Sequence, residues 1–362
     1  MFKVFISAKS LERLCINEMS KNNAEQNSWF VLLTKQDIIY LDKNIYNEID
    51  YNDPLFIFSE SYNINFKTSD INYNEVVKNT PELVLNEPNS AFLLDIDKDS
   101  ASSIQGKYGI ICQSTEDLSD CSLAYQGCMF SLIKNECVHS WKELFENGVA
   151  VPSNALIIID RYIFGYENKH KSRYYDGTNN IKQIIESVLP DSLDCDYHVL
   201  ILFDINGCTD NDFNLDKVSM GLNRFCKSLG KPYNIIIELY SITNKCSNYD
   251  ATHDRRIISN YFIGSASHLI KAFRSGIVIC DQDISLESAY SHGLFDKSDS
   301  AVKRMNNLYK QLQNMHKDGL SEFANKSENA GEYMVICDTN KASTIADIKN
   351  RLIVQNDCTD SI

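Results

Sequence analysis

Three apolar runs between residues 155 and 241 most constrain the fold of the chain. They are ALIIID from Ala155, YHVLILFD from Tyr197 and YNIIIELYS from Tyr233, and each is apolar almost throughout. Two segments with apolar residues at spacings of three and four lie between them, NNIKQIIESVLP and FNLDKVSMGLNRFCKSLG. Strands that are apolar on both faces and alternate with helices are typical of a largely parallel sheet covered by helices. The pattern therefore predicts an α/β fold.

The chain has 362 residues, a length that predicts two domains. FENGVAVPSNA, residues 145–155, has the Gly, Pro, Ser and Asn content of a linker. We expect an acidic α/β domain of unknown type over 1–147 and a mixed sheet flanked by helices over 152–362. In the first domain, compact apolar runs predict strands and SLAYQGCMFSLIK predicts a helix. The predicted strands are KVFIS, WFVLLT, DIIYLD, PLFIFS and AFLLDID.

The charge of the chain limits its partners. The net charge is −14, and residues 1–150 hold 12 Lys and Arg against 22 Asp and Glu. An acidic chain does not bind nucleic acid through its overall field, so only a local basic patch could contact nucleic acid or an acidic lipid head group. The acidic first domain is a candidate surface for a protein partner.

The remaining composition points to a protein without a metal or a cofactor. The 12 cysteines form no Cys-x-x-Cys pair, and several lie in apolar segments such as GIVICD. Buried thiols in a reducing compartment explain this usage best. The absence of an apolar run of about 18 residues predicts no transmembrane segment. We therefore expect a cytoplasmic protein, and the abundance of Asn, Ile and Lys raises the hypothesis of a bacterial defence role.

Charged residues follow the apolar runs of the second domain. The first run ends at Asp160 and is followed by Arg161, and the third contains Glu238. The segment THDRRIISNYFIGSAS then places His253, Asp254, Arg255 and Arg256 in succession. Sheets of this class bind ligands beyond the carboxyl ends of their strands. These side chains are therefore expected to converge on one edge.

This segment resembles the signature of the phospholipase D superfamily, which is His-x-Lys, four residues, Asp and then a Gly-Ser turn. The matching positions are His253, Arg255, Asn260 and Ser265, the last preceded by Gly264. The resemblance is closer to the phospholipase D-like domain at the C-terminus of certain MIT-domain proteins, which carry His-Asp-Arg here and an Asp-x-Tyr strand end upstream. It covers residues 150–280 or beyond.

The resemblance implies roles for these residues. His253 would attack phosphorus, Arg255 and Ser265 would bind the phosphate oxygens, and Asn260 would orient an imidazole. Arginine replaces the family's lysine and still binds phosphate through its planar fork. Asparagine replaces the acid and brings no negative charge. Since the chain has one copy of a motif that acts in pairs, catalysis would require a homodimer.

Three interpretations remain open. The first is a binding or assembly module for a phosphate-bearing ligand or a protein partner, which in the resembled MIT-associated domain would be an acidic phospholipid head group. The second is a homodimeric phosphodiesterase or nuclease with His253 as nucleophile and Arg255 as phosphate clamp. The third is a purely structural domain, in which Asp160 and Glu238 pair with Arg255 and Arg256 and the function lies in the acidic N-terminal half.

A basic and aromatic segment follows the first apolar run. YENKHKSRYY, residues 166–175, contains Lys169, Lys171 and Arg173 among tyrosines. Cations interleaved with aromatic rings suit phosphate contacts and base stacking. The alternative is a solvated loop whose tyrosines cover the sheet edge.

Overall fold

The structure is a computed structural model of the chain. It describes residues 2–19, 27–42, 53–117, 128–137, 140–146, 152–165, 174–204, 213–241, 255–289, 301–324, 333–336 and 350–353. The chain divides into two compact units. The first comprises Met1–Gly127 and Ser288–Asn306, and the second comprises Cys128–Glu287 and Asn307–Ile362. The α/β class predicted from the sequence is confirmed.

The first unit is built on a five-stranded sheet in which every pairing is parallel. Its strands are β1 (Lys3–Ile6), β2 (Ile38–Leu41), β3 (Asn65–Thr68), β4 (Ser90–Leu94) and β5 (Cys112–Ser114), in the order β3-β2-β1-β4-β5. Its helices are α1 (Ala8–Met19), α2 (Ser28–Thr34), α3 (Pro54–Tyr62), α4 (Tyr73–Val76) and α5 (Lys98–Tyr108). The strands β2 and β3 therefore lie on one side of β1, and β4 and β5 lie on the other. The stacked rings of Phe5 and Phe92, 5.0 Å apart, join the two central strands.

Two of the predicted strands in this unit are helices. WFVLLT lies in α2, where the Asn27 side chain accepts a hydrogen bond from the Trp29 N–H. PLFIFS lies in α3, where Asp53 accepts from the Leu55 N–H and Pro54 occupies the first turn. Both helices begin with favourable N-terminal caps. A short apolar run does not distinguish a strand from a buried helix, and the capping residues decide it.

The second unit is built on an eight-stranded mixed sheet. Its strands are β6 (Cys128–Leu132), β7 (Ala155–Asp160), β8 (Tyr197–Phe203), β9 (Ile235–Ser241), β10 (Arg255–Ser259), β11 (Phe262–Ala266), β14 (Gln282–Ser288) and β15 (Tyr333–Ile336). Their order is β15-β9-β8-β7-β10-β11-β14-β6. The strands β12 (Phe273–Arg274) and β13 (Ile277–Val278) form a separate pair. Its helices are α6 (Trp141–Glu146), α7 (Tyr174–Val188) and α8 (Leu215–Ser228). The helix α9 (Ala301–Ala324) begins in the stretch assigned to the first unit and continues, from Asn307, in the second.

The parallel part of this sheet is its centre. The strands β7, β8 and β9 are parallel neighbours, and every residue of β7 is buried. This burial explains why the three runs are apolar without alternation. The strands β10 and β15 join the two sides antiparallel, so the sheet is mixed rather than largely parallel.

The second unit begins earlier than the linker composition predicts. The segment predicted as a helix contains β6, which pairs antiparallel with β14. The helix α6 also belongs here, because the Trp141 indole N–H donates to Asn180 of α7 at 3.0 Å. The division at Gly127 and Cys128 therefore precedes the predicted boundary at 147–152. The pairing of β6 with β14 and the hydrogen bond between Trp141 and Asn180 both lie within the second unit.

Candidate functional site

The junction of β7 and β10 brings together two of the predicted site residues. Arg255 begins β10 and lies directly opposite Asp160, the last residue of β7. Opposed residues of an antiparallel pair project from the same face of the sheet. Asp160 is fully buried, whereas Arg255 is partly exposed. We call Asp160, Arg161, Arg255 and Lys271 the β7–β10 edge, after the end of the sheet where β7 finishes and β10 begins. Both strands lie inside the sheet.

Asp160 is held by backbone groups. One carboxylate oxygen accepts from the Tyr162 N–H at 2.9 Å, and the other accepts from the Ile270 N–H at 2.9 Å. Burial raises the pKa of this carboxyl, and the two N–H groups and the charges of Lys271 and Arg255 oppose the rise. Asp160 therefore fixes the turn that follows β7 and the segment that precedes β12.

Lys271 is a member of the edge that the sequence reasoning missed. Its side chain is fully buried, and its ammonium group donates to the Gly165 carbonyl. It also interacts electrostatically with Asp160. The sequence signal for it was the single lysine inside the apolar stretch HLIKAF. A cation in such a stretch is buried only when it is paired, so this lysine predicts a buried partner.

Arg161 is positioned by a second strand-end carboxylate. Its Nε donates to Asp204 at 2.7 Å, and Asp204 is buried directly after β8. The guanidinium also lies over the Tyr162 ring, 5.5 Å from its centroid. The sequence reasoning did not select Asp204, although it ends an apolar run as Asp160 does.

Arg256 and Ser265 lie on the other face of the sheet. Arg256 pairs with Ile159 of β7 and with Ser265 of β11. The Ser265 hydroxyl is 2.6 Å from the Ser285 hydroxyl on β14. The expected Gly-Ser turn is instead the interior of β11, where a Cβ on Gly264 would lie 2.8 Å from the Leu286 side chain. Alternation along the strand thus separates Arg256 and Ser265 from Arg255.

Asn260 lies at the opposite end of β10 from Arg255. Its side-chain oxygen accepts from the N–H groups of Asn154 and Ala155, at 3.0 and 3.1 Å, and its amide donates to the Asn154 side chain at 2.9 Å. Five residues of extended strand correspond to about 16 Å. The fully buried Asn260 side chain therefore fixes the start of β7.

Glu238 is not at a strand end. It lies inside β9, opposite Leu200 of β8, which in turn is opposite Ile157 of β7. Because Ile157 and Asp160 are three residues apart on one strand, Glu238 and Asp160 project from opposite faces of the sheet. The expected grouping of Glu238 with Arg255 is therefore not formed.

Other predicted site residues lie outside the described residues. They are His253, Asp254, Lys169, Lys171 and Arg173. Next to that basic segment, Tyr174 contacts Phe213, and Phe213 contacts Phe164, with ring centroids 6.2 and 6.0 Å apart. Tyr174 thus belongs to an aromatic cluster that reaches Phe203, the last residue of β8.

The electrostatics of the β7–β10 edge favour an anion. Three cationic side chains, Arg161, Arg255 and Lys271, face the carboxylates of Asp160 and Asp204. The formal balance is one positive charge on a chain of net charge −14. Arginine donates in a fork that matches phosphate and carboxylate oxygens.

The carboxyl edge of the first sheet carries a polar network. The Ala8 N–H at the start of α1 donates to Asp42 at 3.1 Å, and Asn74 donates to the same carboxylate at 3.4 Å. Asn74 also accepts from the Asp95 N–H at 2.7 Å, and Thr115 donates to the Asp95 carboxylate at 3.2 Å. These contacts connect the ends of β2, β4 and β5.

The described residues contain neither an evident metal centre nor a membrane-spanning helix. Within the described ranges, no cluster of three or more His, Cys, Asp or Glu side chains is arranged to hold a metal ion. None of the helices in those ranges has the length and apolar character to cross a bilayer. No protein-family model matches the chain, and no curated protein matches it.

Proposed function

We propose that the second unit is a phospholipase D-like binding module that recognises a phosphate-bearing ligand at the β7–β10 edge. The observation that carries the proposal is the placement of Arg255 opposite Asp160, with Lys271 near the same buried carboxyl and Arg161, paired with Asp204, next in the chain. This cluster gives an acidic chain a local positive balance at a strand end. Ligand sites are common beyond such ends.

The arrangement supports recognition through arginine. Arg161 and Arg255 are both partly exposed, and the Asp204 carboxylate holds Arg161 in place. A guanidinium that is already positioned loses less conformational freedom when it binds an oxyanion. Asp160 and Lys271 are fully buried and contribute to the support of the edge.

Binding is better supported than cleavage. In the superfamily mechanism, the residue at the position of Asn260 orients a histidine, but this amide is engaged by the backbone at the start of β7. The residue at the position of Ser265 binds phosphate oxygens, but this hydroxyl lies on the other face of the sheet from Arg255. Neither side chain adds to the cluster around Asp160.

The test compares the affinity of wild type and Arg255→Ala for three probes. These are inorganic pyrophosphate, a short single-stranded oligonucleotide and vesicles containing phosphatidylserine. We expect one of them to bind wild type and Arg255→Ala to weaken that binding about tenfold or more, as for a charge-assisted hydrogen bond. Added salt should weaken wild-type binding because counterions compete for the cations.

Arg224→Ala is the matched control, since Arg224 is an exposed arginine on α8 of the same unit. It should keep wild-type affinity. Equal affinity of Arg255→Ala and wild type, or no binding of any probe, would contradict the proposal. Phosphodiester turnover by wild type that is lost in His253→Ala would replace it with the phosphodiesterase function.

A further inference from the structure

The strand β6 ends the eight-stranded sheet. In the described part of the chain it pairs with β14 through five opposed residue pairs and is last in the strand order. The outer edge of such a strand presents N–H and C=O groups that another strand can pair with. This geometry makes β6 a candidate for strand addition.

The sequence of β6 lacks the usual protection of an edge. Its residues are CMFSL, without a charged residue or a proline. Natural edge strands commonly carry lysine, proline or a bulge that prevents pairing with another chain. The Met129 side chain is 75% exposed, and Ile133, just beyond the strand, is 57% exposed. Residues 128–133 are thus uncharged and carry two exposed apolar side chains.

We propose that β6 pairs antiparallel with β6 of a second copy of this chain, about a two-fold axis at Ser131. Met129, Ser131 and Ile133 alternate along the chain, and all three are exposed. An axis at Ser131 places each Met129 opposite the Ile133 of the other copy and the two Ser131 residues opposite each other. The two sheets become one continuous sheet.

The self-complementary pattern favours a second copy as the occupant. A two-fold interface requires a surface that matches itself when one strand is reversed. The sequence apolar, hydroxyl, apolar has this property around Ser131. The absence of charge in β6 is the second argument, since no charged side chain of the strand itself adds local repulsion at the contact. The nearest carboxylate is that of Asp283 on β14, which accepts from the Ser131 hydroxyl at 2.7 Å. The inference is independent of ligand binding at the β7–β10 edge.

The first experiment measures the molecular mass of the full chain by sedimentation velocity over a range of micromolar concentrations. Wild type should dimerise, and Met129→Lys should raise the dissociation constant about tenfold or more, because a lysine on an edge strand opposes pairing. Met220→Lys is the control: Met220 is 51% exposed on α8 of the same unit. Circular dichroism and the Tm of each variant establish that it is folded.

The second experiment fixes the register by cross-linking. In a background with Cys128→Ser and Cys137→Ser, Ser131→Cys should form an intermolecular disulfide, because residues opposite each other on paired strands lie within its Cα range. Ser285→Cys on β14 lies away from the axis and should not cross-link. A monomeric wild type, an unchanged dissociation constant in Met129→Lys or equal cross-linking of the two cysteine variants would overturn the proposal.

Discussion

Arg255 lies directly opposite Asp160 across the pairing of β10 with β7, and both side chains project from the same face of the sheet. Asp160 is buried and held by two N–H groups, whereas Arg255 reaches the surface. The pair thus connects the interior of the sheet to its surface. Because Lys271 lies beside the same carboxyl, the edge contains buried charges whose contributions can be measured separately.

The buried carboxyl of Asp160 predicts a pH dependence. Its pKa in the folded protein is raised above the ordinary 3.8, so between 3.8 and the raised value the folded state binds more protons than the unfolded state. Its contribution to stability is therefore greatest at low pH and is lost as the pH rises through the folded pKa. Asp160→Asn should abolish this contribution.

The measurement is the free energy of unfolding in urea at several pH values from 3.8 upwards. The free energy of unfolding of wild type minus that of Asp160→Asn should decrease as the pH rises. Asp216→Asn, which removes an exposed carboxylate of α8, controls for the loss of one charge. A difference that is independent of pH would contradict the raised pKa.

The buried amide of Asn260 predicts a loss of stability without a loss of site chemistry. Asn260→Ala leaves the N–H groups of Asn154 and Ala155 without their acceptor. We expect the free energy of unfolding to fall by about 2 kcal/mol or more, as for buried groups that lose their hydrogen bonds. Chemical denaturation measures the effect.

Asn234→Ala is the control for this change, because Asn234 is exposed and its amide donates to Asp196 at 3.0 Å. That variant should lose far less stability. If Asn260→Ala retained wild-type stability and lost ligand binding, Asn260 would belong to the binding site instead.

The parts of the fold that could be predicted from the sequence are those with one consistent signal. The strands β7, β8 and β9 are apolar almost throughout because both of their faces are buried, and α7 and α8 lie between them in the sequence. The helices α2 and α3 could not be predicted in the same way. Their apolar runs are as short as strands, and the evidence for a helix lies in Asn27 and Asp53, which precede those runs.

The site was predictable only in part, for a geometric reason. Asp160 follows from its position at the end of an apolar run, and Arg255 from its place in the motif. Spacing along the chain does not reveal the face of a strand, so Ser265 was grouped with Arg255 although the two project from opposite faces. Lys271 was missed because its partners are distant in the chain, and only the fold brings them together.

Gly177 lies against the backbone of the turn that follows β7, and we expect the stability of the protein to depend on it. In α7, a Cβ on Gly177 would overlap the carbonyl oxygen of Ile163, in the turn after Asp160. Gly177→Ala should therefore destabilise the protein by about 3 kcal/mol or more, since a clash with backbone is relieved only by moving the helix. Thermal unfolding of the variant measures this effect.

Gly106 provides the opposite case within a helix. It lies in α5, and a Cβ there would meet nothing within 4 Å. Gly106→Ala should stabilise the protein by about 0.5–1 kcal/mol because alanine is the better helix former. Equal Tm values for the two alanine variants would show that the close approach of α7 to Ile163 has no energetic consequence.

The pairing of Lys271 with Asp160 predicts non-additive effects on stability. Lys271→Met keeps most of the side-chain volume and removes the charge, so the buried Asp160 carboxyl loses a neighbouring cation and the Gly165 carbonyl loses its donor. Breaking a buried charge pair at one partner costs about 3–5 kcal/mol.

Asp160→Asn removes the other partner of the pair. In the double variant neither charge remains, so its loss of stability should be smaller than the sum of the two single losses by about 1 kcal/mol or more. Urea unfolding of the four proteins at one pH measures this coupling, and strictly additive losses would show that Lys271 acts through the Gly165 carbonyl alone.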